Sequence, residues 1–352
     1  MSNTTTGISV MGLDLGDRQC HYCLMDEAGE VVQRGTVATT DPSLARWAAG
    51  MQATRFVMEA GTHSAWVRRL LMRLGHEVLV ANPNRMKLIT QSTNKNDRVD
   101  AEWLAFAGRM PERFISPVEH RPEAIQEDLA LMRSRANLVE LRTAAVNHVR
   151  GILKSAGARV PACDARYFHT KAAHFIPDHP GIAGHVPVIA LLTKEIAALD
   201  LAVDRLIVER YPIANHLRKI RGVGPITSLA FVLTINDPYR FKKSRQVGGY
   251  IGMTPKQRQS GERDPQLRIT KAGNAYLRQL LVEAAHYIMG AQGEDSDLRR
   301  WGQKRLEHGG KNVKKRVLVA VARKLAVLLH RLWVTGEVYQ PLYLAEAPMQ
   351  AA

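Results

Sequence analysis

From Glu123 to Gly157 the chain carries no proline, and Ile125, Leu129, Met132, Ala136, Val139, Thr143 and Val146 recur at alternating steps of four and three. That is heptad spacing, which lays one apolar stripe along a long helix. Ile189, Leu192, Ile196, Leu199, Val203 and Leu206 repeat it in a second run. Residues 158–187, between the two, hold four prolines and several histidines and are too irregular for one helix. The pair reads as a helical stalk, either an antiparallel hairpin or a helix pairing with its copy in a second chain, so a homo-oligomer (dimer or tetramer) is expected. The stalk divides the chain into residues 1–115, a coiled-coil middle at 116–211 with the insert 158–187, a C-terminal domain at 212–340 and a tail at 341–352.

The N-terminal part alternates differently. Residues 8–15 (ISVMGLDL), Gln19 to Met25 and Val31 to Val37 read as a meander of three strands joined by tight turns. A helix from Ser43 to Met51, a strand from Arg55 to Ala60, a helix from Ser64 to Leu74 and a strand from Glu77 to Ala81 follow, with a short helix after Pro83. This order predicts an α/β domain, a mixed sheet flanked by helices. Cys20 and Cys23 form a CxxC within the second strand, but no second pair completes a zinc site.

Two acids break this pattern. Asp14 and Glu59 sit in apolar strands, where an unpaired carboxylate is costly. Asp97 and Asp100, in NKNDRVDAEWL, open a helix and share one of its faces. Alone, that pair suits a helix N-terminus and its dipole. Four carboxylates brought together repel one another unless a divalent cation neutralises them, and oxygen-only donors suit Mg²⁺ or Mn²⁺ better than zinc. Strand acid, strand acid and helical acid pair, on a meander followed by β-α repeats, is the layout of ribonuclease-H-like nucleases.

The formal net charge of +16 is unevenly placed. Residues 1–211 carry 25 Lys and Arg against 23 Asp and Glu, whereas residues 212–335 carry 24 against 8. A polyanion is the natural partner of the second region. No apolar run is long enough to span a membrane, and three cysteines are too few for a disulfide framework, which fits a reducing cytoplasm.

Within this basic region Arg221-Gly222-Val223-Gly224-Pro225, followed by an apolar helix, resembles a helix-hairpin-helix, in which glycines let the backbone approach a phosphate. Lys242, Lys243, Ser244 and Arg245 follow. Next come GGYIGMTPKQRQSGE with Lys256, Arg258 and Ser260, then Lys271, and a helix from Asn274 to Met289 with Arg278. A last helix from Val313 to Trp333 begins with Lys314, Lys315 and Arg316. With the two glycines, these cations are the expected nucleic-acid contacts. By residue type, Ser260 and Ser244 are both open as phosphate contacts or loop hydroxyls.

The motifs MGLDLG, FVMEA, NKNDRVDAEWLA, RGVGPITSLAF, GGYIGMTPKQRQSGE and ITKAGNAYLRQLLVEAA occur together and in order. From about residue 8 to 340 the chain resembles bacterial insertion-sequence transposases that pair an N-terminal RuvC-like DEDD domain with a serine-bearing C-terminal domain, the bridge-RNA-guided recombinases. The resemblance implies a RuvC-like fold, metal binding by Asp14, Glu59, Asp97 and Asp100, and catalysis by these acids with Ser260 as nucleophile in preference to Ser244. It also implies Mg²⁺ (or Mn²⁺), DNA partners at element ends and target, a noncoding bridge RNA, and action at the bacterial nucleoid. The insert 158–187 has no counterpart in that pattern. Two alternatives are a metal-dependent junction resolvase or nuclease using water as nucleophile, and a noncatalytic nucleic-acid-binding protein.

Overall fold

The computed structural model describes residues 9–83, 97–258, 267–307, 309–310 and 312–343, and the chain forms two compact units, 1–121 and 122–352. The short helix expected after Pro83, residues Asn94 to Asn96, Ser260 and most of the tail lie outside the described residues.

The first unit is built on a mixed five-stranded sheet in the order β3-β2-β1-β4-β5. Its strands are β1 (Val10–Leu15), β2 (Gln19–Met25), β3 (Val31–Ala38), β4 (Arg55–Glu59) and β5 (Glu77–Ala81). β1, β2 and β3 pair antiparallel because tight turns join them. The β2–β3 turn is fixed by Asp26, whose Oδ1 accepts from the backbone N–H groups of Ala28, Gly29 and Glu30, each at 2.9 Å; Gly29 takes the left-handed φ of 98° that closes it. β1, β4 and β5 run parallel. Parallel neighbours need a crossover, and α1 (Asp41–Ala49) and α2 (Ser64–Arg73) supply it. The meander and the β-α alternation are as expected, and the sheet is consistent with a ribonuclease-H-like DEDD fold.

Strand periodicity splits the core into two layers. Met11 and Leu13 of β1, with Phe56 and Met58 of β4, face α1 and α2 through Leu44, Val67, Leu70 and Leu71. The alternate residues Val10 and Val57 face the other way, onto α3 (Asp97–Ala107) through Leu104 and Ala107 and onto α4 (Glu112–Ile115) through Ile115. Cys20 and Cys23 are both buried within β2.

In the second unit the two long helices, α5 (Glu123–Ser155) and α7 (His185–Glu209), run antiparallel. Leu129 and Met132 share a core with Val203 and Ile207 at one end, and Val146, Val149 and Leu153 meet Val186 and Ile189 at the other. The insert packs there, with α6 (Phe168–Ala173) burying Phe168 and Ala172. The expected stripe is interrupted midway: Thr143 is exposed, and a cavity of about 420 Å³ opens among Arg135, Arg142, Asp164, Arg166 and Asp200. Buried Ile196 continues the stripe on α7 there, and Arg135 pairs with Asp200 across the two helices at 2.5 Å.

The remaining helices are α8 (Pro212–Leu217), α9 (Pro225–Ile235), α10 (Val247–Tyr250), α11 (Ala275–Met289), α12 (Asp297–Glu307) and α13 (Val313–Thr335). They bury one apolar core together with the near end of the hairpin. α9 is buried at nearly every position. α12 is an addition to the helices expected from the sequence; its composition is strongly polar and its buried residues are Leu298 and Gly302. No helix among the described residues is long and apolar enough to cross a membrane.

Candidate active site

The alternation that turns Val10 toward α3 turns Gly12 and Asp14 the same way. Gly12 is what lets the helix arrive. A Cβ at this position would lie 2.0 Å from the carbonyl oxygen of Ala101 and 2.4 Å from the amide nitrogen of Ala105. The first turn of α3, with Asp97 and Asp100, is thereby laid along β1 beside Asp14. Asp14, Asp97 and Asp100 each offer a carboxylate oxygen, and these oxygens all lie within 4.8 Å of one another.

The electrostatics are those of crowded carboxylates. The Asp14 carboxyl is raised from 3.8 to about 6, first by burial, then by the charges of Asp100 and Asp97, with a smaller push from Glu59; His21 acts in the opposite direction. Glu59 is not within the three-acid cluster. It follows Met58, which is in register with Leu13, so it stands at the end of the neighbouring parallel strand on the α3 side of the sheet. Three clustered carboxylate oxygens, with a fourth acid one strand away, are a hard, oxygen-only donor set that fits a divalent cation such as Mg²⁺ or Mn²⁺.

One residue of this site was missed from the sequence. His21 is in register with Asp14 across the β1–β2 hairpin, and its Nε2 lies 3.6 Å from Asp97 Oδ2. Its Nδ1 is buried without a hydrogen-bond partner. The signal was available: once the turn after Leu15 fixes the hairpin register, period-two alternation sets His21 opposite Asp14.

The C-terminal candidates separate into internal and outward-facing groups. Gly222 has a φ of 93°, and a Cβ there would press on Tyr287 and the Ala284 carbonyl, so packing alone accounts for this glycine. Gly224 faces open space at the N-terminus of α9. Arg278 donates to the carbonyls of Ile251, Ala272 and Gly273 at 3.2, 2.5 and 3.2 Å, which makes it a brace for the loop before α11. Lys271 takes a left-handed φ of 58° in that loop. Lys242, Lys243, Arg245, Lys256, Arg258, Lys314, Lys315 and Arg316 are exposed.

Ser260 falls outside the described residues, but the chain on either side of it is paired. Pro255 and Ile269 form an antiparallel bridge, and the backbone N–H groups of Lys256 and Thr270 donate to Arg268 and Thr254, each at 2.9 Å. Ser244 is described, and its Oγ lies 2.9 Å from Nδ1 of buried His330. His330 Nε2 is 2.8 Å from the Pro238 carbonyl. A carbonyl only accepts, so Nε2 carries the proton; in the neutral ring Nδ1 then accepts from the serine hydroxyl.

Against this geometry, a family model described as "Transposase IS116/IS110/IS902 family" matches residues 214–300, and a DEDD transposase model of IS110 elements matches residues 11–157. The chain is 31% identical over 299 residues to a probable family 20 transposase of Pseudomonas aeruginosa, covering 81% of this chain and 85% of that protein. It is 29% identical to the transposase for insertion sequence element IS1111A of Coxiella burnetii, across 95% of this chain and 92% of that one. Identity to the transposase for element IS1328 of Yersinia enterocolitica is 26%, across 94% and 98% of the two chains.

Proposed function

The chain belongs to the IS116/IS110/IS902 family of insertion-sequence transposases, and from that premise we propose that it moves its element by divalent-metal-dependent cleavage and rejoining of DNA, with a serine hydroxyl as nucleophile and an element-encoded RNA as guide. The observation that carries this reading is the convergence of Asp14, Asp97 and Asp100 on one small volume. A bound Mg²⁺ supplies the positive charge that neutralises these carboxylates and polarises a phosphate. Asp14, Asp97 and Asp100 would hold it, with Glu59 completing the set from β4.

The nucleophile in this reading is Ser260. Its Oγ forms a bond to phosphorus as one bridging P–O bond of the DNA breaks, and the serine proton passes to solvent or a nearby base. Rejoining reverses the exchange: a DNA hydroxyl attacks the phosphoserine and the serine recovers its proton. The covalent link keeps the phosphoester energy within the complex. The basic excess of residues 212–335 supports phosphate binding by Lys242, Lys243, Lys256, Arg258, Lys314 and Lys315. Exposed Leu141, Leu191, Leu201 and Val208 on the long helices support assembly of more than one chain through the stalk.

Ser244 is the second candidate, because its hydroxyl already donates to an imidazole base. Incubating the purified protein with its element's RNA, Mg²⁺ and DNA bearing the element ends separates these readings. The expected product is a protein–DNA adduct that disappears in Ser260→Ala and in Asp14→Ala. An adduct lost only in Ser244→Ala moves the nucleophile there. Cleavage without any adduct returns the protein to the water-using nuclease class.

A further inference from the structure

A cavity of about 740 Å³ in the second unit lies between α12, α13 and the segment that follows α13. That volume is in the roughly 300–1,000 Å³ range of sites for small organic ligands. Its walls carry Arg245, Arg305, Arg323 and Lys324. None of these four has a carboxylate partner among the described residues. The wall also carries two acids: Glu337 pairs with Arg331 at 2.8 Å, and Asp297 opens α12.

The cations are held in place by the fold. The Arg305 guanidinium lies 4.3 Å and the Lys324 ammonium 4.6 Å from the centre of the Trp301 ring. An aromatic face attracts each cation but does not neutralise either, so the pair stays charged. Arg323 lies over Gly248, where any Cβ would come within 2.9 Å of its Nε. Arg245 rides on the turn fixed by the Ser244–His330–Pro238 chain of hydrogen bonds. Apart from Gln340, the remaining wall, including Val327, Leu328 and half-buried Tyr339, is apolar or aromatic.

We propose that this cavity binds one unpaired nucleotide of a nucleic-acid strand, its phosphate on Arg305 and Lys324 and its base against the apolar wall. A bare phosphate would leave the apolar wall without a partner, and an uncharged heterocycle would leave the cations without one. A nucleotide answers both. Duplex DNA keeps its bases inside the stack and cannot place one in a cavity, so the ligand is a single strand or a base turned out of a helix. DNA and RNA share this chemistry. The inference rests on the reading that the C-terminal unit binds nucleic acid.

The test is fluorescence polarisation of the full chain with labelled oligonucleotides of about 12 nucleotides, as single-stranded DNA, single-stranded RNA and duplex DNA. The variants are Arg305→Gln, Lys324→Gln and the double substitution, all at exposed side chains. Single-strand affinity is expected to fall roughly tenfold in the double variant, with duplex affinity changed less than about twofold. Whichever single strand shows the loss identifies the source. Photocrosslinking of 5-iodouridine and 5-iododeoxyuridine oligonucleotides is expected to label Trp301 or Tyr339. Equal losses for single strands and duplex would overturn the inference, since the cations would then be part of a general phosphate surface. Unchanged binding in the variants, with wild-type binding intact, overturns the cavity alone; absence of binding in the wild type overturns the reading of the whole unit.

Discussion

The acid cluster on β1 and α3 and the cationic cavity on α12 and α13 have the same defect with opposite sign. In the first, Asp14, Asp97 and Asp100 crowd oxygens within 4.8 Å, and among the described residues His21 is the one basic side chain within ion-pair range of them. In the second, Arg305 and Lys324 are gathered over one indole ring without a carboxylate. A chain that needed only to fold would not keep either charge cluster uncompensated. The proposed function completes the first with a small divalent cation, and the nucleotide proposed for the cavity would complete the second.

The comparison breaks most visibly at the acids. Asp14→Asn or Asp97→Asn is expected to lower DNA strand cleavage by about a thousandfold or more, measured on element-end substrates with Mg²⁺. Nucleic-acid binding by the same variants is expected to hold, and a parallel loss would mean that the two clusters do not work separately. Gly12→Val leaves every acid in place and drives a side chain into α3. It should cost about 3 kcal/mol in chemical denaturation and bring cleavage down with it.

Salt acts mainly on the other side of the comparison. Raising it from about 50 to 200 mM is expected to weaken nucleic-acid binding at least a hundredfold, since several phosphates are neutralised at once. A flat salt response would remove the basic face from the mechanism. Acid acts on the metal side. Below about pH 6 the Asp14 carboxyl takes up a proton, so divalent affinity by calorimetry should fall up to about tenfold per pH unit.

The smallest effect is on stability without metal. Below about pH 4 Asp14 is protonated in the folded and unfolded chains alike. Between about pH 4 and 6 the unfolded chain ionises first, so the fold loses stability as pH rises, and the penalty is complete above about 6. Asp14→Asn should therefore raise metal-free stability near pH 7 by about 1 kcal/mol, allowing for solvent screening of a half-exposed group, and change little at pH 4. An equal gain at both pH values would assign the effect to packing.

The sequence told more about the acid cluster than about the cavity. The apolar runs MGLDL and RFVME mark Asp14 and Glu59 as acids within strands, and the i, i+3 spacing puts Asp97 and Asp100 on one helix face. These are local rules applied to short stretches. His21 escaped because it depends on hairpin register, a relation between two strands. The cavity escaped more completely. Trp301, Arg323 and Arg245 come from three separate elements, and α12 is so polar in composition that few apolar residues mark it as a helix. The heptads foretold two long helices. Their uneven seam follows from two separate cores at the ends of the hairpin, which no repeat discloses.

Gly12 has a consequence for how copies of such an element are judged. Every single-base change that replaces a glycine codon with that of another amino acid adds a Cβ, and here a Cβ would meet backbone atoms at 2.0 and 2.4 Å, which no rotamer can avoid. A copy with such a change would keep all its acids and its serines and still be silent. An inventory of catalytic residues would score it intact, so the genetic lesion most easily overlooked in this gene is the gain of one carbon atom.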